Sequence, residues 1–259
     1  MSSDLDDLDI NPSNEKPHPD EGLWDTIKTV LFAVLIAIFV RTFAYEPFSI
    51  PSGSMIPTLL VGDYLFVSKM SYGYSRYSFP FGIDLVPGDR VMFEEPERGD
   101  VFVFKLPSDP RIDYIKRIVG LPGDTIQVKG GILHVNGEAV KRERLGAFVY
   151  QDTYGVYHNT VKYKETLPNG VAHEIIEESD SDIQDNTQVF RVPEGHYFAM
   201  GDNRDNSQDS RYLMHVGFIP RENLVGRAEF LFFSNDGNFW KIWTWPWTLR
   251  FDRFFNSVD

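Results

Sequence analysis

The pattern of apolar and polar positions changes character several times along this chain. Residues 1–25 carry eight acids and one lysine, with Pro12, Pro17 and Pro19 among them. So few apolar groups cannot offset the entropy of ordering, and residues 1–22 are expected to form a disordered tail. One continuous apolar run follows. Its uncharged centre, residues 29–40, is only 12 residues long, short for a membrane span. If Lys28 and Arg41 extend their charged ends toward water, residues 24–43 supply 20 residues, about 30 Å of helix, with Trp24 and Phe43 near the two interfaces. A transmembrane helix over residues 23–44 is therefore predicted. A cleaved leader is disfavoured by the acidic flank and by the lack of Ala-x-Ala after the run. A buried core helix is the rival that the short uncharged centre also fits. One lysine on one flank and one arginine on the other leave the orientation undecided by charge.

Beyond residue 60 the period shortens to two. Residues 63–69, 88–93, 99–105 and 113–120 read as strands, with Gly-Asp turns before the second and third. A loop rich in Tyr, Ser, Phe, Pro and Gly over residues 70–87 separates the first two. In the fourth, Tyr114, Lys116 and Ile118 share one face, while Ile115, Arg117 and Val119 share the other. Residues 132–140 read as a hairpin turning at Asn136-Gly137. The polar stretch after it is expected to be irregular, and its acidic run over residues 174–185 a solvated loop without chemistry. Strand character returns at residues 196–200 and 228–233. Short strands at this spacing favour an antiparallel sandwich or barrel over a parallel α/β sheet. The expected fold is mainly β: a transmembrane helix, then a large antiparallel β domain (residues 45–124 and 194–259) holding an inserted smaller β subdomain (residues 125–193).

Composition adds exclusions. A chain of 259 residues has room for one large domain or two small ones beyond the leader. A net charge of −13 argues against nucleic acid as a partner. The absence of cysteine removes disulfides, a thiol nucleophile and cysteine-based zinc sites.

The chemistry centres on Phe48-Ser-Ile-Pro-Ser-Gly-Ser-Met-Ile-Pro-Thr-Leu59. Pro51, Gly53 and Pro57 set a tight, exposed turn that presents Ser54; an ordinary connector is the bland alternative. A serine hydroxyl needs a base beside it. The six histidines show no motif context, and His18 falls in the tail. Lys116 is the better base, because it sits among Tyr114, Ile115, Ile118 and Val119, where burial would push its pKa toward neutrality. An edge-strand lysine facing water is the competing reading. The segment Gly201-Asp-Asn-Arg-Asp-Asn-Ser-Gln-Asp-Ser-Arg-Tyr212 invites comparison with a calcium loop. Arg204 at the third ligand position and no glycine at the sixth exclude it.

That segment, together with Pro51-Ser-Gly-Ser-Met-Ile-Pro-Thr58 and Asp113-Tyr-Ile-Lys-Arg-Ile-Val-Gly-Leu-Pro-Gly-Asp124, closely resembles three motif blocks of the bacterial type I signal peptidases. Order, spacing and the preceding apolar segment match as well, over roughly residues 24–220. Leu213-Met214-His215-Val216 departs from the family pattern, as does the single span. The resemblance implies a membrane-bound endopeptidase that removes signal peptides from exported preproteins, without cofactor or metal. It implies Ser54 as nucleophile, Lys116 as general base, Ser207 as the hydroxyl that orients the lysine, and Ser52 with the Ser54 N–H as oxyanion hole. Asp209 and Arg211 match a supporting ion pair. Phe48, Ile50, Pro51, Met55, Leu59, Val103, Tyr114 and Ile115 match the lining of pockets for small side chains at the first and third positions before the cut (−1 and −3). The implied location is the bacterial inner membrane, with the tail in the cytoplasm and the β domains outside. Ser54 lies about ten residues past the span, a tether of at most ~35 Å. Alternatives are another Ser/Lys peptidase, such as a self-cleaving repressor, or a tethered β module without catalysis. The lack of a DNA-binding segment and the membrane span argue against the first, and the joint presence of Ser54, Lys116 and Ser207 against the second. The sequence is silent on oligomeric state.

The C-terminal segment Phe239-Trp-Lys-Ile-Trp-Thr-Trp-Pro-Trp247 carries four of the five tryptophans, with Phe251, Phe254 and Phe255 beyond. Two expectations compete: the rings fill the core, or several enter the membrane–water interface with Lys241, Arg250 and Arg253 on lipid phosphates.

Overall fold

A computed structural model describes residues 19–79, 90–237 and 240–258. The chain forms two compact units that divide between Phe39 and Val40. Helix α1 (Pro19–Phe43) contains an apolar stretch, Gly22–Phe43, long enough to cross a bilayer, and of its residues only Thr42 is buried against protein. Leu31, Phe32, Leu35 and Phe39 are all more than half exposed. A helix apolar on every side suits lipid, not water. Lys28 is held by Asp25 at 3.2 Å and lies over the Trp24 ring. The helix begins earlier than expected, since Pro19 and Gly22 already belong to it; the rest of the predicted tail, residues 1–18, lies outside the described residues.

The second unit, Val40–Asp259, is built on a seven-stranded antiparallel sheet. Its members are β1 (Tyr45–Ser49), β2 (Asp63–Ser68), β3 (Val101–Leu106) and β4 (Asp109–Gly120) from the first half of the chain. Residues 125–191 then contribute β5 (Thr125–Lys129), β6 (Ile132–Val135), β7 (Glu138–Ala139), β8 (Lys141–Gln151), β9 (Tyr157–Thr166), β10 (Ala172–Glu177) and β11 (Phe190–Arg191). These make two separate sheets, ordered β10-β9-β8 and β11-β5-β6-β7. The chain returns with β12 (His196–Met200), β13 (Ile219–Pro220) and β14 (Leu224–Ser234), which complete the large sheet in the order β1-β2-β14-β3-β4-β12-β13.

Strand β3 explains why the sheet is held from both sides. Val101 and Val103 point into a core with Leu59, Leu65 and Val225, whereas Phe102 and Phe104 enter another with Tyr72, Ile118 and Tyr197. Period-two alternation thus buries large groups on each face, each worth about 1.5–3 kcal/mol. The β6–β7 hairpin turns where expected, with positive φ at Asn136 (54°) and Gly137 (85°), as a type I′ turn requires.

Three expectations fail. The strand predicted over residues 88–93 is not formed: Val91 makes one isolated bridge to Tyr74, and Met92 turns out of the extended run at φ 51°. Gly88 and Asp89 lie outside the described residues. The polar stretch after residue 140 is not irregular but the long β8–β9 hairpin, paired from Lys141↔Thr166 to Gln151↔Tyr157. The acidic run is only partly solvated, because Glu177 ends β10 and is buried, as is Asp185. Burial pushes the Glu177 carboxyl up to about 8 despite the nearby arginines Arg204 and Arg142.

The C-terminal segment divides its aromatic rings. Trp245, which opens the short helix α2 (Trp245–Thr248), and Phe254 both pack on Phe233 of β14, with centroids 5.2 and 5.7 Å away. Trp243 and Trp247 stand 68% and 83% exposed. Arg250 and Arg253 do not take the outward position that the interfacial alternative calls for. Both reach the fully buried Asp63, Arg253 at 2.6 Å.

Candidate active site

The turn carrying Ser54 lies between β1 and β2. Backbone bonds from Ile50 N to Asp63 O and from Gly62 N to Ile50 O close its base, and Met55 and Leu59 sink fully into the core beneath. Anchoring from below leaves Ser54 at the surface of that core. From the side, Asn203 N donates to Ser54 O (3.1 Å) and Asn203 Nδ2 to Gly53 O (3.0 Å). The two segments meet so closely at Gly201 that an added Cβ would stand 2.2 Å from Ser207 Oγ and 2.5 Å from Ser54 O. Glycine is required there by space alone.

Lys116 comes from β4, opposite Phe102 of β3. It is only 3% exposed, and its Nζ lies 2.8 Å from Ser54 Oγ and 2.8 Å from Ile115 O. Burial pulls its pKa down to about 8; the Asp209 and Asp202 carboxylates oppose that, and Arg211 adds to it. The Tyr114 ring lies 5.2 Å from the same nitrogen. The reading of Lys116 as an edge-strand lysine facing water does not hold.

Ser52 is exposed, with Oγ 3.5 Å from Ser54 Oγ. Ser207 lines the same cavity as Ser54 and Lys116, but its buried Oγ makes no hydrogen bond to the lysine. Among the described residues that hydroxyl has no hydrogen-bond partner, though its nearness to Asp209 favours the charged carboxylate. Asp209 and Arg211 form a buried bidentate pair, at 2.9 Å through both Nε and Nη2. Burial alone would raise the Asp209 pKa, yet the Arg211 guanidinium holds it below the usual range. A second buried pair, Arg117 with Asp202, sits directly behind Lys116, and Arg204 binds Glu165 of β9 through both guanidinium nitrogens. His173 of β10 approaches the same Glu165 at 3.3 Å. None of these five was singled out from the sequence. Arg117, Asp202 and Arg204 stand inside the motif blocks, but nothing local marks Glu165 or His173.

An open cavity of about 550 Å³ lies over Ser54 and Lys116. Phe48, Ile50, Pro51, Val103, Tyr114 and Ile115 line it as expected. Met55 and Leu59 do not, being core residues below the turn. Ile112, Asn206, Gln208 and Tyr212 line it too and were not anticipated.

A serine hydroxyl within hydrogen-bond reach of a desolvated amine, beneath an open and mainly apolar cavity, has the geometry that nucleophilic catalysis by serine requires. Comparison with known proteins identifies the family. Residues 23–233 match the family described as signal peptidase, peptidase S26. Signal peptidase I of Rickettsia typhi is 41% identical over 246 residues, covering 88% of this chain and 90% of the relative. That of Rickettsia massiliae is 39% identical over 268 residues, covering 96% and 98%. A solved signal peptidase I from Enterococcus faecalis V583 is 26% identical with a TM-score of 0.30, spanning 52% of this chain and 97% of that one. The chain belongs to the signal peptidase S26 family and is a signal-peptide-cleaving serine peptidase. With its apolar helix it is a membrane-anchored one.

Proposed function

We propose that this protein cuts exported preproteins after small residues at −1 and −3, with Ser54 as nucleophile and Lys116 as general base. The 2.8 Å contact between the buried Lys116 Nζ and Ser54 Oγ carries the reading. When the amine is neutral, the hydroxyl donates to it. As Oγ bonds to the scissile carbonyl carbon, its proton passes to Nζ, and the carbonyl oxygen becomes an oxyanion. The Ser52 hydroxyl and the Ser54 N–H receive that charge. Collapse breaks the C–N bond, and Nζ returns its proton to the departing amine. A water molecule then attacks the ester on Ser54 and gives its proton to Nζ; as the C–Oγ bond breaks, Nζ passes that proton to Ser54 Oγ, which restores the neutral amine and the hydroxyl. Ser207, whose buried hydroxyl is left without a partner among the described residues, turns toward the amine during the reaction and keeps it aimed; Asp209 and Arg211 hold the loop that carries it. Residues 125–193 serve as an inserted subdomain that buttresses this loop through Glu165.

The apolar cavity supports the preference for small side chains. Peptides with Phe in place of Ala at −1 or −3 are expected to lose roughly a hundredfold in kcat/KM. Equal cleavage of both would rule out this assignment of the cavity.

The proposed location is the inner membrane, with residues 40–259 on the extracytoplasmic side. The exposed Trp243 and Trp247 suit a headgroup layer, so lipid is proposed as a second partner of this unit. With residues 1–39 removed, the remaining unit is expected to float with lipid vesicles. Trp243→Ser with Trp247→Ser should weaken flotation about tenfold, at an unchanged Tm. A Tm lower by tens of degrees would instead make these rings part of the core.

A further inference from the structure

The departure at residues 213–216 puts a histidine against the cavity wall. Tyr212 N donates to Asp209 O, and the N–H groups of His215, Val216 and Gly217 all donate to Tyr212 O, so the segment folds into a tight turn starting on the Asp209–Arg211 pair. Its far end is fixed by Val216, buried in the core of Phe102, Phe104 and Leu224. Ser108 Oγ donates to His215 O at 2.7 Å and clamps the turn from a third side. The imidazole therefore has a fixed backbone beneath it. Its Nε2 lies 3.1 Å from Tyr114 Oη, the two rings edge to face at 6.1 Å. Among the described residues no other hydrogen-bond partner holds that phenol.

Tyr114 is the residue through which this matters. One edge of its ring rests on Phe104, its face lies 5.2 Å from Lys116 Nζ, and it lines the cavity. A tyrosine in such a wall can stand across the cavity or swing out to water. A hydrogen bond at its polar tip decides between the two, since a part-buried hydroxyl otherwise turns toward solvent. We propose that His215 is a specificity-determining positioning residue, whose hydrogen bond holds Tyr114 as the wall that limits the cavity beside Lys116 to small side chains. Either tautomer serves, because phenol and imidazole can each donate. The proposal rests on reading the cavity as the site of the residues before the cut.

The test uses the full chain in vesicles and paired peptides that differ only in Ala or Leu at −1 or −3. His215→Ala is expected to reduce the preference for Ala by roughly tenfold, chiefly through a lower KM for the Leu peptide, with kcat on the Ala peptide little changed. His215→Gln, whose amide also donates and accepts, should restore the preference. Tyr114→Phe should reproduce the relaxed specificity, and adding His215→Ala to it should change nothing more. If His215→Ala slows all peptides equally with the preference intact, or if Tyr114→Phe leaves the preference intact, the proposal is overturned. Should His215→Ala not fold, His215→Gln and Tyr114→Phe decide the matter. A wild-type enzyme without preference would overturn the reading of the cavity itself. A wild type and a His215→Ala variant that share one strong preference would overturn only the role of His215.

Discussion

Ser54→Ala and Lys116→Met are each expected to remove peptide cleavage almost entirely, by about four to six orders of magnitude in kcat/KM, and the double variant to be no worse than either. In the proposed mechanism one proton shuttles between the two groups, so removing either end removes the whole device. Additive losses in the double variant would mean that the residues act independently, against a dyad. Folding offers an internal control with an unusual sign. The Lys116 pKa is about 8 in the folded protein against 10.5 for a free lysine. Between those values the unfolded chain binds more protons, so this residue makes stability rise with pH across that window. Below about pH 8 its full cost is present, up to about 3 kcal/mol. Lys116→Met is therefore expected to melt higher than wild type at pH 7, the advantage fading as pH rises from 8 to 10.5. An inactive variant that is also more stable cannot owe its inactivity to unfolding.

The second large effect is on the pH–rate profile. Only the neutral amine accepts a proton, so kcat/KM should rise about tenfold per pH unit at low pH and level off above pH ~8. At pH 7 roughly one molecule in ten then carries a competent base, against about one in three thousand for an unperturbed lysine. Burial in β4 is the main cause, and the acids Asp209 and Asp202 limit the depression. A rate still climbing steeply at pH 9.5 would show that Lys116 is not desolvated during the reaction.

The parts of the site that could be read from the sequence were those in which a polar residue breaks an apolar context. Lys116 interrupts a strand of Tyr, Ile and Val, and Ser54 sits on a turn bounded by proline and glycine. What could not be read was which way apolar residues of that turn face. Met55 and Leu59 look as fit for a cavity wall as Ile50 does, but the backbone closure at Asp63 sends them into the core. The β8–β9 hairpin escaped because much of it is solvated on both faces, leaving no period-two signal. Its register is set by a backbone ladder, which side-chain pattern does not report. Glu165 and His173 are buried because Arg204, 39 residues from Glu165, neutralises the carboxylate across the fold. A charge whose partner is that distant in sequence reads as a surface group until the chain is folded. The C-terminal tryptophans posed a similar choice, and the rings divide: Trp245 packs on Phe233, whereas Trp243 and Trp247 stay exposed.

The most direct test of the proposed reaction is the N-terminus of its product. The full chain in lipid vesicles is incubated with a purified preprotein, and the released mature chain is analysed by mass. The account predicts one new N-terminus, directly after a segment with small residues at −1 and −3, formed by wild type and absent with Ser54→Ala. A preprotein left intact by the wild type, or cut equally well by Ser54→Ala, would contradict it.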